Sequence, residues 1–124
     1  MSGKSQKPHR NLVAWQLGMD LVMEVYKLTQ NFQERELYGL SSQLRRAALS
    51  VPSNIAEGAA DRTQAQFSHF LSTALGSLNE IDTQVELSFR LGYLSEYNKF
   101  SALLDQCLAV TYGLRKSISA RTTR

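Results

Sequence analysis

The sequence predicts an all-α protein, an antiparallel up-down-up-down four-helix bundle. Three observations carry this. Prolines occur only at positions 8 and 52 of the 124 residues. No run sustains the period-2 alternation of a half-buried strand. Apolar residues instead return every three to four positions in four long segments, the spacing of one face of a helix. The connections between segments are short, which forces successive helices antiparallel.

The first helix is expected from about Leu12 to Phe32, with Asn11 as N-cap. It carries two apolar stripes on nearly opposite faces. Leu12, Trp15, Met19, Val22, Met23 and Tyr26 form one; Val13, Leu17, Leu21, Val25, Leu28 and Phe32 form the other. A helix in a monomeric bundle needs only one such face. The second stripe, with the small residue Gly76 on the third helix, is therefore the expected oligomer interface.

The second helix is expected to begin near Glu36, with a stripe of Leu37, Leu40, Leu44, Ala47, Ala48, Val51, Ile55 and Ala59. The stripe keeps phase across Pro52, so one helix kinked at Pro52 is predicted rather than two. The proline removes a backbone bond and crowds the carbonyl of Ala48, at a cost of about 3 kcal/mol in an ordinary helix interior. Ser50, Ser53 and Asn54 stand close enough to repair part of that damage.

The third helix is expected from Thr63 to about Arg90. Thr63 and Gln66 have the spacing of a capping box, and Gly92 is placed to end the helix as its C′ residue. Its stripe is Phe67, Phe70, Leu71, Ala74, Leu78, Ile81, Val85 and Phe89, and its far side is small at Ser72, Gly76 and Thr83. The fourth helix is expected to start after an N-cap at Ser95 and run to about Ile118. Its core side is Phe100, Leu103, Leu104, Cys107, Leu108, Val110, Leu114 and Ile118.

Composition fits one folded domain: 43% of residues are apolar and 20% charged. The single cysteine, Cys107, forbids an internal disulfide framework and suits a reducing compartment. No stretch approaches the roughly 20 apolar residues of a membrane span. A cytoplasmic protein without membrane contact is expected. The net charge of +3 is unevenly spread. Residues 1–10 hold Lys4, Lys7 and Arg10 with no acid, and residues 115–124 hold Arg115, Lys116, Arg121 and Arg124 with no acid. The intervening body has seven Lys/Arg against eleven Asp/Glu. The organisation read from this is a basic tail at 1–10, a bundle at 11–118 and a basic tail at 119–124.

Catalytic and metal chemistry find no support in the sequence. Di-iron bundles need two Glu-x-x-His pairs, whereas the two histidines here, His9 and His69, have no acid three residues before them. Serine residues lack a strand-turn-helix setting, and no G-x-G-x-x-G or Walker pattern occurs. Glu80, Asp82 and Glu86 point to different sides of their helix. The one open catalytic alternative is a Cys107–His69 pair. Arg45 and Arg46 are read either as structural, with Arg46 in a salt-bridge network, or as phosphate contacts.

Three stretches resemble a known family: W-Q-L-G-M-D-L-V at 15–22, E-L-Y-G-L-S-S-Q-L-R-R-A-A-L-S-V-P-S-N-I-A-E-G at 36–58, and G-S-L-N-E-I at 76–81 followed by L-G-Y-L at 91–94. They are similar to the bacterial four-helix proteins encoded within intervening sequences of 23S ribosomal RNA genes. The resemblance covers about residues 11–118 and implies a four-helix bundle in a ring-shaped homopentamer. It extends distantly to accessory proteins of diversity-generating retroelements, basic pentameric barrels associated with nucleic acid and reverse transcriptase. The acidic body of this chain departs from those relatives and shifts any nucleic-acid contact to its ends.

The expected function is that of a non-enzymatic homo-oligomer, without cofactor, metal or small-molecule substrate. It is expected to bind RNA or DNA through Lys4, Lys7, Arg10, Arg45, Arg46, Arg115, Lys116, Arg121 and Arg124. The alternative is a structural scaffold that binds a protein partner by helix packing.

Overall fold

A computed structural model describes residues 7–32, 39–60 and 63–122. Within them lie a short 3-10 helix, Pro8–Asn11, and four α-helices: α1 (Val13–Thr29), α2 (Leu40–Ala59), α3 (Gln64–Arg90) and α4 (Asn98–Thr122). Each helix packs on the next and α4 closes onto α1, so the bundle is the predicted up-down-up-down arrangement. The core runs along its axis through Leu21, Val25, Leu44, Val51, Ile55, Leu71, Leu78, Ile81 and Leu104, all essentially out of solvent. Each such side chain contributes about 1.5–3 kcal/mol on burial.

α2 is one helix through Pro52, as its unbroken stripe requires. Pro52 is itself buried, where its ring lies against Gly18 of α1. The nearby side-chain bonds fall on Ser50 rather than on the Ala48 carbonyl that Pro52 deprives of its donor. Asn54 Nδ2 donates to the carbonyl of Ser50 at 2.8 Å and to its hydroxyl at 2.9 Å. The Ser50 hydroxyl in turn bonds Ser77 Oγ on α3 at 2.8 Å. Ser53 is exposed.

Helix ends depart from expectation in four places. α1 starts with Leu12, not Asn11, in the N-cap position, because Pro8–Asn11 form their own turn, tied down by Gln16 Nε2 donating to Arg10 O at 3.0 Å. α1 stops at Thr29, where the chain tightens into bonds from Gln30 N to Lys27 O and from Phe32 N to Thr29 O. α2 starts at Leu40 after Gly39, whose backbone is outside the helical region; Glu36 and Leu37 lie outside the described residues. α4 starts at Asn98, three residues beyond the predicted Ser95 cap, with Glu96 Oε1 accepting from Asn98 N at 3.0 Å.

The signals at both ends of α3 hold. Thr63 and Gln66 form the capping box. At the other end Gly92 has φ +84°, Tyr93 N bonds Ser88 O at 2.9 Å and Gly92 N bonds Phe89 O at 3.0 Å, a Schellman motif. Phe89, expected in the core, is 42% exposed. It falls outside the buried line because Ser88 occupies it, and its ring packs beside Tyr97 instead.

Part of each segment expected as a basic tail is ordered against the bundle or within a helix. Pro8–Asn11 pack on α1 and α2, with His9 edge-on to Trp15 at 5.0 Å and Arg10 above the same ring at 5.4 Å. α4 stays helical to Thr122, so Arg121 lies in its last turn rather than in a tail.

Close packing makes Gly58 sensitive. A methyl there would lie 2.8 Å from Phe70 Cβ and 2.9 Å from Phe67 Cδ1 on α3. Gly58→Ala is expected to destabilise the fold by about 1–3 kcal/mol in thermal or urea unfolding. Gly76→Ala, whose methyl would meet no atom within 4 Å, is expected to stabilise the isolated subunit by up to about 1 kcal/mol.

Candidate functional site

An even number of antiparallel helices returns the chain to the end where it began. Contacts fix which elements share that end. The 3-10 helix touches α2, Gly58 near the end of α2 meets Phe67 and Phe70 near the start of α3, and Ser68 Oγ of α3 bonds Ser119 Oγ of α4 at 2.9 Å. The start of the described chain and the last turns of α4 therefore lie at one pole. Residues 7–12 and 115–122 together carry Lys7, Arg10, Arg115, Lys116 and Arg121 and no carboxylate. Lys4 and Arg124 lie outside the described residues.

These cations are not equivalent. Lys7, Lys116 and Arg121 are exposed. Arg10 is half-buried against Trp15. Arg115 is also half-buried, and its Nε is out of solvent without a hydrogen-bond partner. It contributes charge to the pole more than a free contact.

The other two arginines stand elsewhere. Arg45 docks α2 on α1: its Nε donates to Thr29 Oγ1 at 2.8 Å and its guanidinium lies 4.6 Å from the Tyr26 ring centroid. Thr29 Oγ1 passes the bond on to Val25 O at 2.8 Å. This is a structural clamp between α2 and α1. Arg46 is exposed and forms no ion pair with a described residue of its own subunit.

The expected assembly face of α1 is corrected. Leu21 and Val25 are fully buried within the subunit, on a line with Ala14, Gly18 and Thr29. Leu17, Leu28 and Phe32 are partly buried against the core. The two small residues Ala14 and Gly18 set the core line, which a search for large apolar side chains passes over. Of the stripe expected to drive assembly only Val13, 55% exposed, remains open. The spare apolar face belongs to the other stripe: Met19 is 44%, Met23 60% and Tyr26 40% exposed. Helical phase brings Leu49 of α2, 47% exposed, to the same side, between Arg45 and Pro52. Met23 also lines a groove of about 660 Å³ with Asp20, Glu24, Lys27, Lys99 and Leu103 between α1 and α4. The outer face of α3 at Ser72, Gly76 and Thr83 is small and exposed.

Cys107 and His69 are not brought together. Cys107 is fully buried and its thiol donates to Leu17 O at 3.5 Å. His69 is exposed beside Ser68, whose partner Ser119 is twelve residues along α4 from Cys107, about 18 Å on the helical rise. Burial, helped by the nearby Asp20 charge, pushes the Cys107 thiol up to about 12. Among the described residues no three His, Cys, Asp or Glu side chains cluster to hold a metal, and no helix is long and apolar enough to cross a membrane.

At the opposite pole Tyr97 OH donates to Glu86 Oε1 and Arg90 Nε donates to Glu86 Oε2 at 2.8 Å. The Tyr97 bond first, then the Arg90 bond, holds the Glu86 carboxyl below its ordinary value. The same bond raises the Tyr97 hydroxyl, with partial burial adding to it.

The profile of the 23S rRNA-intervening sequence proteins matches residues 10–114. The chain belongs to that family. The match takes in all of α1, α2 and α3 and most of α4, and so spans the bundle as well as Arg10 at the basic pole. No curated protein matches the chain.

Two expectations follow from the titrating groups. Cys107 in the intact protein should react with Ellman's reagent only as fast as the subunit opens, and at once in denaturant; fast labelling of native protein would contradict its burial. Because the Glu86 pKa is depressed, its stabilisation is present above the ordinary carboxylate value and fades as pH falls through the lowered one. Because the Tyr97 pKa is raised, its part is present below the ordinary phenol value and fades as pH rises through the raised one. Tyr97→Phe is expected to lessen both limbs of a melting-temperature profile against pH.

Proposed function

We propose that this 23S rRNA-intervening sequence protein is a non-enzymatic homo-oligomer that binds RNA or DNA through its basic pole. The observation that carries the reading is the convergence of both basic ends of the chain at one end of an otherwise acidic bundle. Phosphate contact by such a patch is sequence-independent and salt-sensitive. Repeating the patch around an assembly multiplies weak contacts by avidity.

Assembly is supported by the exposed Met19, Met23, Tyr26 and Leu49 surface, more apolar side chain than one small face of a monomer needs to leave in water. A ring is built head to tail from two different surfaces of each subunit. In the pentamer that the family resemblance implies, this apolar surface packs against the small outer face of α3 around Gly76. The same apolar surface favours a second reading, a scaffold for a helical protein partner.

Light scattering and RNA anisotropy separate the two. Met23→Asp is expected to lower the particle mass while circular dichroism keeps its helical signal, since charge on a covered apolar surface is costly. Leu21→Asp is expected to abolish the fold itself. An unchanged mass in Met23→Asp would remove this face from the assembly.

Replacing Lys7, Lys116 and Arg121 by Gln is expected to leave the mass intact and weaken RNA binding. The slope of log affinity against log salt should shrink by about 0.7–0.9 for each phosphate that is no longer neutralised. Binding of unchanged strength and slope would overturn the nucleic-acid reading. Wild-type protein that binds no RNA at physiological salt, but retains a partner after nuclease treatment, would establish the scaffold.

A further inference from the structure

The long arginine-bearing stretch of α2 is only half absorbed by the fold. Its apolar side builds the core and Arg45 clamps α1, but Gln43, Arg46 and Ser50 face a cleft against α3. With Ala47 of α2 and Ser77 and Glu80 of α3 they line a space of about 340 Å³, within the range of small-molecule sites. The cleft lies in the half of α2 remote from the basic pole.

We infer that this cleft binds a small zwitterion of the α-amino-acid type, carboxylate on Arg46 and ammonium on Glu80. Three features point to that chemistry. Arg46 and Glu80 line one cleft with opposite charges, yet they do not pair with each other or with another described cation or anion. A charged donor and a charged acceptor thus line one open space, neither neutralised by the other.

Beside Glu80 stands Gln84, 9% exposed, with its Nε2 donating to Glu80 Oε2 at 3.4 Å and its Oε1 out of solvent and without a donor. Gln84 does not itself line the cleft; its bond fixes Glu80 Oε2, and an ammonium group, with three donors, meets the carboxylate from the open side.

The third feature is the floor. Ser50 Oγ and Ser77 Oγ share one hydrogen bond and Asn54 Nδ2 donates to Ser50 Oγ. That bond uses one of the two hydroxyl protons; the other, on Ser50 or Ser77 according to which donates, is left for a carboxylate in the cleft to accept. The lining contains no aromatic ring, which separates this site from one that stacks a nucleobase. The inference does not depend on the nucleic-acid reading.

The test is calorimetric titration of the intact protein with each common free α-amino acid, then with the N-acetyl and C-amide forms of the tightest binder. At least one free amino acid is expected to saturate a site, and blocking either end is expected to weaken it at least about tenfold. Arg46→Gln should abolish the preference for a free carboxylate and Glu80→Gln the preference for a free amine, each with an unchanged circular dichroism spectrum. Both residues are exposed, so neither variant threatens the fold. No binding of any free amino acid at about 10 mM overturns the inference. So does binding that both variants retain, or a site that takes adenosine or guanosine and not amino acids.

Discussion

The bundle depends on how closely α2 approaches its two neighbours. Gly18 of α1 faces Val51 and Pro52, where an added methyl would lie 3.3 Å from Val51 Cγ1, and Gly58 faces Phe67 and Phe70 of α3. Ala47 and Ala48 continue the buried side of α2 from Val51 toward the start of the helix. With so little side chain at the crossings, α1, α2 and α3 come close enough for short polar groups to bridge them, as Ser50 does to Ser77 and Arg45 to Thr29. Pro52 belongs to the same solution. Its ring has no flexible reach and fills the space beside Gly18 with few rotamers to lose, which offsets part of the backbone bond that it removes.

That packing sets the charge geometry. Four helices, each antiparallel to the next, put the start of α1 and the end of α4 at one pole, and the end of α1, the start of α2, the end of α3 and the start of α4 at the other. The cations collected at the first pole are far apart in sequence, and nothing but the parity of the helix count unites them. Cations away from that pole are used otherwise: Arg45 as a clamp on Tyr26 and Thr29, and the exposed Arg90 as a partner of Glu86. Charge alone does not distinguish these roles; neighbours do.

Much of the fold is legible from periodicity because helical phase is a local property. The continuity of α2 through Pro52, the capping box at Thr63 and the Gly92 terminus each rest on residues within a turn or two of one another. Periodicity misplaces the face of α1 because the buried line there is marked by Ala14, Gly18 and Thr29, which carry little hydrophobic weight. Large side chains on both flanks outweigh them. Ser88 and Thr111, both fully buried, escape for the same reason, and Phe89 enters the expected core at the expense of Ser88. Helix ends slip where a nonlocal or unusual partner replaces the expected cap, as with Glu96 at Asn98. The basic pole is half legible: the charged ends are visible, but their meeting needs the topology. The α2–α3 cleft is not legible, since its two charges are 34 positions apart and only the antiparallel register brings them to one space.

The most direct measurement is to map RNA on the protein by amide and methyl chemical-shift changes in deuterated, uniformly labelled protein. The account predicts perturbations gathered at one pole, over Lys7–Asn11, the start of α3 and the last two turns of α4, which fade as salt is raised. Perturbations centred instead on Met19, Met23 and Leu49, or none at low salt, would contradict it.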